Sequence, residues 1–310
     1  MDEKWASITA LITAYCRGYH ATHDAPKIFD DFVAAELFTT EEHVAFDRQL
    51  ASTLNLINPE RAATNPDQAT ALAIVMQTHN GPITLSRSRY TEDRLLAALS
   101  TGAAPEQTAQ QYVILGAGFD TFAFRRPELL NRLEVFEVDH PATQAIKQQR
   151  LAMLDRPVPP QLHFAPIDFA TQSLSDVLRQ TSYDVHRKSF FSWLGVTYYL
   201  TREVVLETLR EVAASATAGS EIVFDYMEAD AFVPERAARR IQLMQTIARQ
   251  VGEPMQSGFD PRALAAELDR VGFQLAEDLD PAAIEARYFP NRSDEYHAFE
   301  QVHFARAMIA

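Results

Sequence analysis

A short β-branched and aromatic run, Gln111 to Leu115, ends in the turn Gly116-Ala117-Gly118-Phe119-Asp120-Thr121, and this junction constrains the fold more than any other part of the chain. Glycines at a strand end adopt dihedrals closed to other residues and let the backbone approach a ligand closely. A second run, Leu133 to Val138, ends at Asp139, 23 positions after Gly116. An acidic side chain at that distance is placed to accept hydrogen bonds from a ribose diol. Glu137, two residues earlier on the same strand face, is the alternative. Further strand-like runs occur at His163 to Ile167, Ser189 to Leu194 and Glu221 to Tyr226, and the C-terminal VHFARAMIA reads as a last strand. Helical patterns separate several of them, as in Val205, Leu209, Val212 and Ala213, or Leu264, Leu268 and Val271 between Asp260-Pro261 and Gly272. Strands alternating with helices predict an α/β chain with a doubly wound, mostly parallel sheet, whose ligands bind at the carboxyl ends of the strands.

The first hundred residues carry no strong strand signal. Trp5, Ile8, Leu11, Ile12 and Tyr15 recur at helical spacing, and Thr39 with Glu42 forms a capping-box pattern opening a helix to about Leu54. An Ala-rich helix runs to about His79, Gly81-Pro82 breaks the chain, and another helix carries Arg87, Arg89, Leu95, Leu96 and Leu99 until Gly102 and Pro105. The expected division is an N-terminal helical cap over residues 1–105 and a sheet domain over 106–310.

Composition excludes several function classes. With 28 Lys and Arg against 42 Asp and Glu, the net charge of −14 argues against binding to nucleic acid or an anionic membrane surface. Cys16 is the only cysteine, which rules out an intrachain disulfide, a cysteine zinc site and an iron–sulfur cluster. The N-terminal MDEKWASITALITAY lacks the basic start and unbroken apolar run of a signal peptide, and no stretch reaches the ~20 apolar residues of a membrane span. A cytoplasmic location is therefore expected. There is no G-x-S-x-G elbow, no phosphate loop of the G-x-x-x-x-G-K type and no H-E-x-x-H. His20, His23 and Asp24 have a superficial metal-like spacing with no further ligand in view.

Two cofactors compete for the glycine turn. A dinucleotide site favours a small third residue where this chain has Thr121, and Asp120 sets a negative charge beside the expected pyrophosphate. That charge suits the cationic groups of S-adenosylmethionine better than NAD(P), so an NAD(P)-dependent oxidoreductase is the rival from another class.

LGAGFDTFAFR, FEVDHPATQAIK and SFFSWLGVTYYL, with HATHDAPKIFDD and SRSRYTEDRLL upstream, resemble the leucine carboxyl methyltransferase family of class I S-adenosylmethionine-dependent methyltransferases, in particular its bacterial O-methyltransferase branch linked in part to polyketide pathways. The resemblance covers most of the chain. It implies a seven-stranded Rossmann-like sheet with a reversed final hairpin, capped by the N-terminal helices. It further implies that Gly116, Ala117 and Gly118 line the methionine end of the cofactor, that Asp139 takes the ribose hydroxyls, and that Asp168 with Phe169 meets the adenine. An arginine of the last cap helix would hold the cofactor carboxylate: Arg89 fits best, with Arg87 if the helix register differs, and Arg17 is a looser candidate. Protein-modifying members carry a glutamate where this chain has Leu194 before Gly195. The expected activity is therefore O-methyl transfer to a carboxylate or hydroxyl of a small molecule in secondary metabolism, with a protein C-terminal carboxyl methyltransferase as the alternative.

Tyr198 and Tyr199 are expected at the acceptor pocket from position alone. Arg125 either serves the turn or forms a structural ion pair, and Lys147 reads as a structural residue exposed on its helix. His140 and Asp225 are the candidates for a general base, which a carboxylate acceptor would not need. Asp139 and Asp168 each also suit a helix N-cap. The sequence does not fix the oligomeric state.

Overall fold

The computed structural model describes residues 7–100, 108–154, 156–168 and 171–310. Trp5, Gly102, Pro105 and Phe169 lie outside the described residues. Seven strands, β1 (Gln111–Leu115), β2 (Glu134–Asp139), β3 (Leu162–Pro166), β4 (Ser189–Trp193), β5 (Glu221–Met227), β6 (Phe273–Leu279) and β7 (Val302–Ile309), form one sheet in the order β3-β2-β1-β4-β5-β7-β6. The first five pair in parallel, and β7 runs antiparallel to both β5 and β6. β1 and β4 are buried at every position, as strands covered on both faces must be.

Period-two alternation divides the core between the two faces. Val113, Leu115, Phe136, Val138, Phe191 and Trp193 pack on one side, under the helices Arg202–Ala214 and Pro261–Asp269. Tyr112, Ile114, Val135 and Phe190 pack on the other in one apolar cluster with the N-terminal helices. Those helices include Ile8–His23, Thr40–Ser52 and Gly81–Ser100. Thr39 and Glu42 form the capping box the sequence announces, each side chain bonded to the other's backbone N–H.

Two sequence expectations change. Gly81-Pro82 does not break the chain: a π-helical turn, Met76–Asn80, runs directly into the Gly81–Ser100 helix. Gly81 is needed there because a Cβ would sit 2.6 Å from the Tyr296 ring. β6, absent from the sequence reading, begins immediately after Gly272. It pairs only with β7, and a bulge between Leu275 and Glu277 interrupts its alternation.

The histidine and cysteine of the first helix are structural. His20 is buried, with Nε2 accepting from Ile28 N–H at 2.7 Å and Nδ1 facing Asp24 at 2.8 Å. Asp24 also accepts from Tyr296 Oη at 2.8 Å. Both ring nitrogens of His20 are thus committed, and no metal-binding group occurs among the described residues. Cys16 is buried against Met76, and burial pushes its thiol up to about 12, so it is not a nucleophile. Among the described residues no helix is long and apolar enough to cross a membrane.

His303 on β7 sits between two carboxylates, with Nδ1 3.2 Å from Asp278 and Nε2 3.1 Å from Glu228. These partners raise its pKa above the ordinary value of 6.5 despite burial. The stabilisation from the charged ring is fully present below the unfolded value and is lost as pH rises through the folded one. The Tm deficit of His303→Gln relative to wild type should therefore be largest near pH 6 and shrink above neutrality. A deficit that grows with pH would contradict this arrangement.

Candidate cofactor site at the carboxyl ends of the strands

β1 delivers Gly116 and Gly118 with φ of +67° and +52°, values that side chains other than glycine rarely adopt. A Cβ on Gly116 would meet Val196 Cγ2 at 2.5 Å, and one on Gly118 would press on Ala10 of the first helix at 3.3 Å. The turn is held from below by the cap. Arg17 donates to Phe119 O at 2.7 Å and pairs with Asp31 at 2.8 Å, while Thr121 Oγ1 donates to Asp31 at 2.6 Å. Arg125 pairs with Glu92 of the Gly81–Ser100 helix at 2.6 Å, the structural role open to it in the sequence. Arg17 thus braces the turn through its carbonyl.

Asp139 ends β2 with its carboxylate spanning to that turn. One oxygen accepts from Gly118 N–H and the other from His140 N–H, the latter at 2.6 Å. Each oxygen keeps a further lone pair, the geometry a vicinal diol requires. Burial raises its pKa, and the two backbone donors oppose that shift. Asp168 follows β3, and the register Asp139↔Pro166 brings the two carboxylate-bearing strand ends side by side.

The Gly81–Ser100 helix settles which arginine reaches the strand ends. Arg89 is exposed and pairs with Asp93 at 2.9 Å. Arg87, two residues earlier, is buried, and its Nη1 donates to both Asp225 Oδ2 and Tyr198 Oη at 2.9 Å. At about 100° per residue, positions two apart face nearly opposite ways on a helix. The expectation that Arg89 fits best therefore gives way to Arg87. Asp225, fully buried on β5, also accepts from Gly195 N–H at 2.6 Å. It is an anchor, not a base poised for an acceptor proton.

Gly195 has φ +71°, and a Cβ there would lie 2.8 Å from Arg87 Cζ. Tyr198 is buried with its hydroxyl on Arg87, so it supports that guanidinium. Tyr199 is half-buried beside Thr9 and Glu253, and its phenol is pushed up to about 12, chiefly by burial. Thr9 Oγ1 donates to Glu253 at 2.6 Å, which straps the start of the first helix to the loop after the Arg239–Gln250 helix.

Two residues that shape the site, Asp31 and Glu92, were not singled out from sequence. Both lie inside quoted motifs, but their roles need the fold to bring them under the turn. Lys147 is buried, not exposed on its helix, and its Nζ is 2.5 Å from Glu137 Oε2. Burial pushes Glu137 up to about 7, with Lys147 opposing and Asp120 adding to the shift.

The site therefore has the guanidinium of the Arg87–Asp225 ion pair at one end and the carboxylates of Asp139, Glu137 and Asp120 at the other, with the glycine turn between. Gly195→Ala should displace the Arg87 guanidinium from Asp225. We expect a loss of about 1–3 kcal/mol from the unpaired buried carboxylate, read as a lower denaturation midpoint. A Gly195→Ala variant as stable as wild type would contradict the packing.

Comparison with known proteins follows the same lines. The family model for leucine carboxyl methyltransferase matches residues 10–213. The Bacillus subtilis (strain 168) protein named "Putative S-adenosyl-L-methionine-dependent methyltransferase YktD" is 38% identical over 311 aligned positions, covering 99% of each chain. A protein of the same description from Parafrankia sp. is 28% identical, covering 70% of this chain and 62% of its own. Among solved structures, a DUF574 family protein from Streptomyces avermitilis superposes with a TM-score of 0.57 at 16% identity, covering 98% of both chains, which establishes the shared fold. The chain belongs to the leucine carboxyl methyltransferase family.

Proposed function

We propose that this chain transfers the methyl group of S-adenosylmethionine to a carboxylate or hydroxyl oxygen of a small molecule, in secondary metabolism. The observation that carries the reading is the placement of a guanidinium and a carboxylate on either side of the glycine turn, Arg87 on one side and Asp139 on the other. The cofactor is a zwitterion at its methionine end and a diol at its ribose, and the residues present fit it. Arg87 would take the α-carboxylate through the guanidinium edge not engaged by Asp225 and Tyr198. Gly116, Ala117 and Gly118 would lie along the methionine, Asp139 would accept from the ribose hydroxyls, and Asp168 would accept from the adenine amino group. Phe169 is proposed beside the ring on the strength of the resemblance alone.

When bound, the cofactor supplies an electrophilic sulfonium methyl group open to in-line displacement by an oxygen lone pair. The chain's own part is to orient and to exclude water. Gly118 sits against Ala10 of the first helix, and the Thr9–Glu253 bond closes the cap over the same side. Of the two base candidates, Asp225 is engaged by Arg87 and Gly195, and His140 Nδ1 accepts from Ala142 N–H at 3.3 Å as a helix cap. An acceptor that needs no strong base, a carboxylate or an acidic hydroxyl, is consistent with both placements. Leu194, half-buried where protein-modifying relatives carry glutamate, supports a small-molecule acceptor over a protein C-terminus.

Two measurements test this reading. In calorimetric titration with S-adenosylhomocysteine, Asp139→Ala and Arg87→Ala should each lose roughly tenfold or more in affinity, as expected for hydrogen bonds to charged groups. Arg89→Ala should stay within about twofold, since an exposed pair is worth little. In a lysate incubated with methyl-tritiated cofactor, label should enter the small-molecule fraction. Label in a protein band would favour the C-terminal carboxyl methyltransferase instead, and tight binding of NAD(P) in place of S-adenosylhomocysteine would favour an oxidoreductase.

A further inference from the structure

We propose that Glu137 and Lys147 form a positioning pair for the ribose end of the site, and that tight cofactor binding requires the pair to be ionised. The inference rests on the cofactor assignment above and adds a residue pair that does not itself touch the ligand.

The pair closes a small loop of structure around Asp139. Glu137 and Asp139 lie on the same face of β2, two residues apart. After Asp139 and His140 the chain enters the helix Pro141–Met153, and two side chains of that helix reach back to the strand. Gln144 Nε2 donates to the Glu137 carbonyl at 2.9 Å, and Lys147 Nζ holds the Glu137 carboxylate at 2.5 Å. The direction in which the Asp139 carboxylate leaves the strand is thus set between a strand and a helix tied together by this pair. The same helix meets the cap, where Ser7 N–H approaches Thr143 Oγ1 at 3.5 Å.

Stability does not account for the pair. Lys147 and Glu137 are each 1% exposed, and fully buried ion pairs are often no better for stability than apolar residues of similar volume. The carboxylate is also left incomplete, because Glu137 Oε1 is buried with no hydrogen-bond partner among the described residues. The charged groups facing Glu137 are Lys147 from the helix, Asp120 from the glycine turn and Asp139 from its own strand. Lys147 alone of these favours the ionised Glu137, while Asp120 and Asp139 both oppose it.

The consequence is a pH dependence with a definite sign. Glu137 is raised to about 7, so it is ionised and paired above neutrality and takes up a proton below it. The protonated acid leaves Lys147 a buried cation with a neutral partner, and the helix loses its ionic tie to β2, keeping only the Gln144 hydrogen bond.

The test is calorimetric titration of the full-length chain with S-adenosylhomocysteine from pH 6 to pH 8, for wild type, Glu137→Gln and the double variant Glu137→Gln/Lys147→Met. Thermal melting shows that each variant is folded. Wild-type affinity should fall about tenfold from pH 8 to pH 6. Glu137→Gln, nearly isosteric and always neutral, should bind at pH 8 about as weakly as wild type does at pH 6, and its affinity should be flat across the range. The double variant removes the buried cation as well and keeps the proposal open to refutation should the single variant fail to fold. It should also bind weakly and without pH dependence.

Wild-type-like affinity at pH 8 in either variant would overturn the proposal, as would a pH slope that survives in Glu137→Gln. Those outcomes leave the cofactor assignment intact. Absence of binding by wild type at every pH would overturn the assignment and this inference together.

Discussion

The buried ion pair between Arg87 and Asp225 is the contact on which the arrangement of the site depends. A carboxylate without exposure on a central strand is costly unless it is paired and hydrogen-bonded. Asp225 meets both needs through Arg87 from the cap and Gly195 N–H from the turn after β4. One side chain thereby ties together the last cap helix, β5 and the β4 turn. The glycine at 195 follows from the same contact, because the guanidinium occupies the space a Cβ would need. Tyr198 completes the enclosure from the turn that follows.

The second half of the site gathers carboxylates and has a different construction. Asp139, Glu137 and Asp120 gather at the ends of β1 and β2, and the turn between them is braced from the cap by Arg17 and Asp31. Cap and sheet are therefore not independent at the site: the cap supplies the arginine at one end and the support of the turn at the other. A ligand with a carboxylate at one end and a diol further along matches that polarity, whereas a pyrophosphate would face Asp120 and Asp139. Family membership and charge pattern converge on S-adenosylmethionine from separate starting points.

Much of this could be read from the residues, for physical reasons that also explain what could not. β1, β2, β4 and β5 stood out because strands buried on both faces are runs of apolar and aromatic residues. β6 did not, because as an edge strand it carries the exposed Gln274 together with Glu277 and Asp278, whose carboxylates other elements satisfy. Tyr90 Oη donates to Glu277 at 2.9 Å, and Tyr226 Oη to Asp278 at 2.9 Å. The choice between Arg87 and Arg89 failed on helix register. Residues 81–87 are all buried, so that stretch has no polar face from which the register could be set. Gly116, Gly118 and Asp139 stood out in the sequence because a strand–turn–helix junction imposes their spacing, while Asp31, Glu92 and the burial of Lys147 arise from contacts remote in sequence.

A crystal structure of the chain with S-adenosylhomocysteine is the most direct measurement of the central claim. The account predicts the ribose hydroxyls on the Asp139 carboxylate and the ligand carboxylate on Arg87, with Arg89 still paired to Asp93. A ligand carboxylate held by another cation, or a ribose turned away from Asp139, would contradict it.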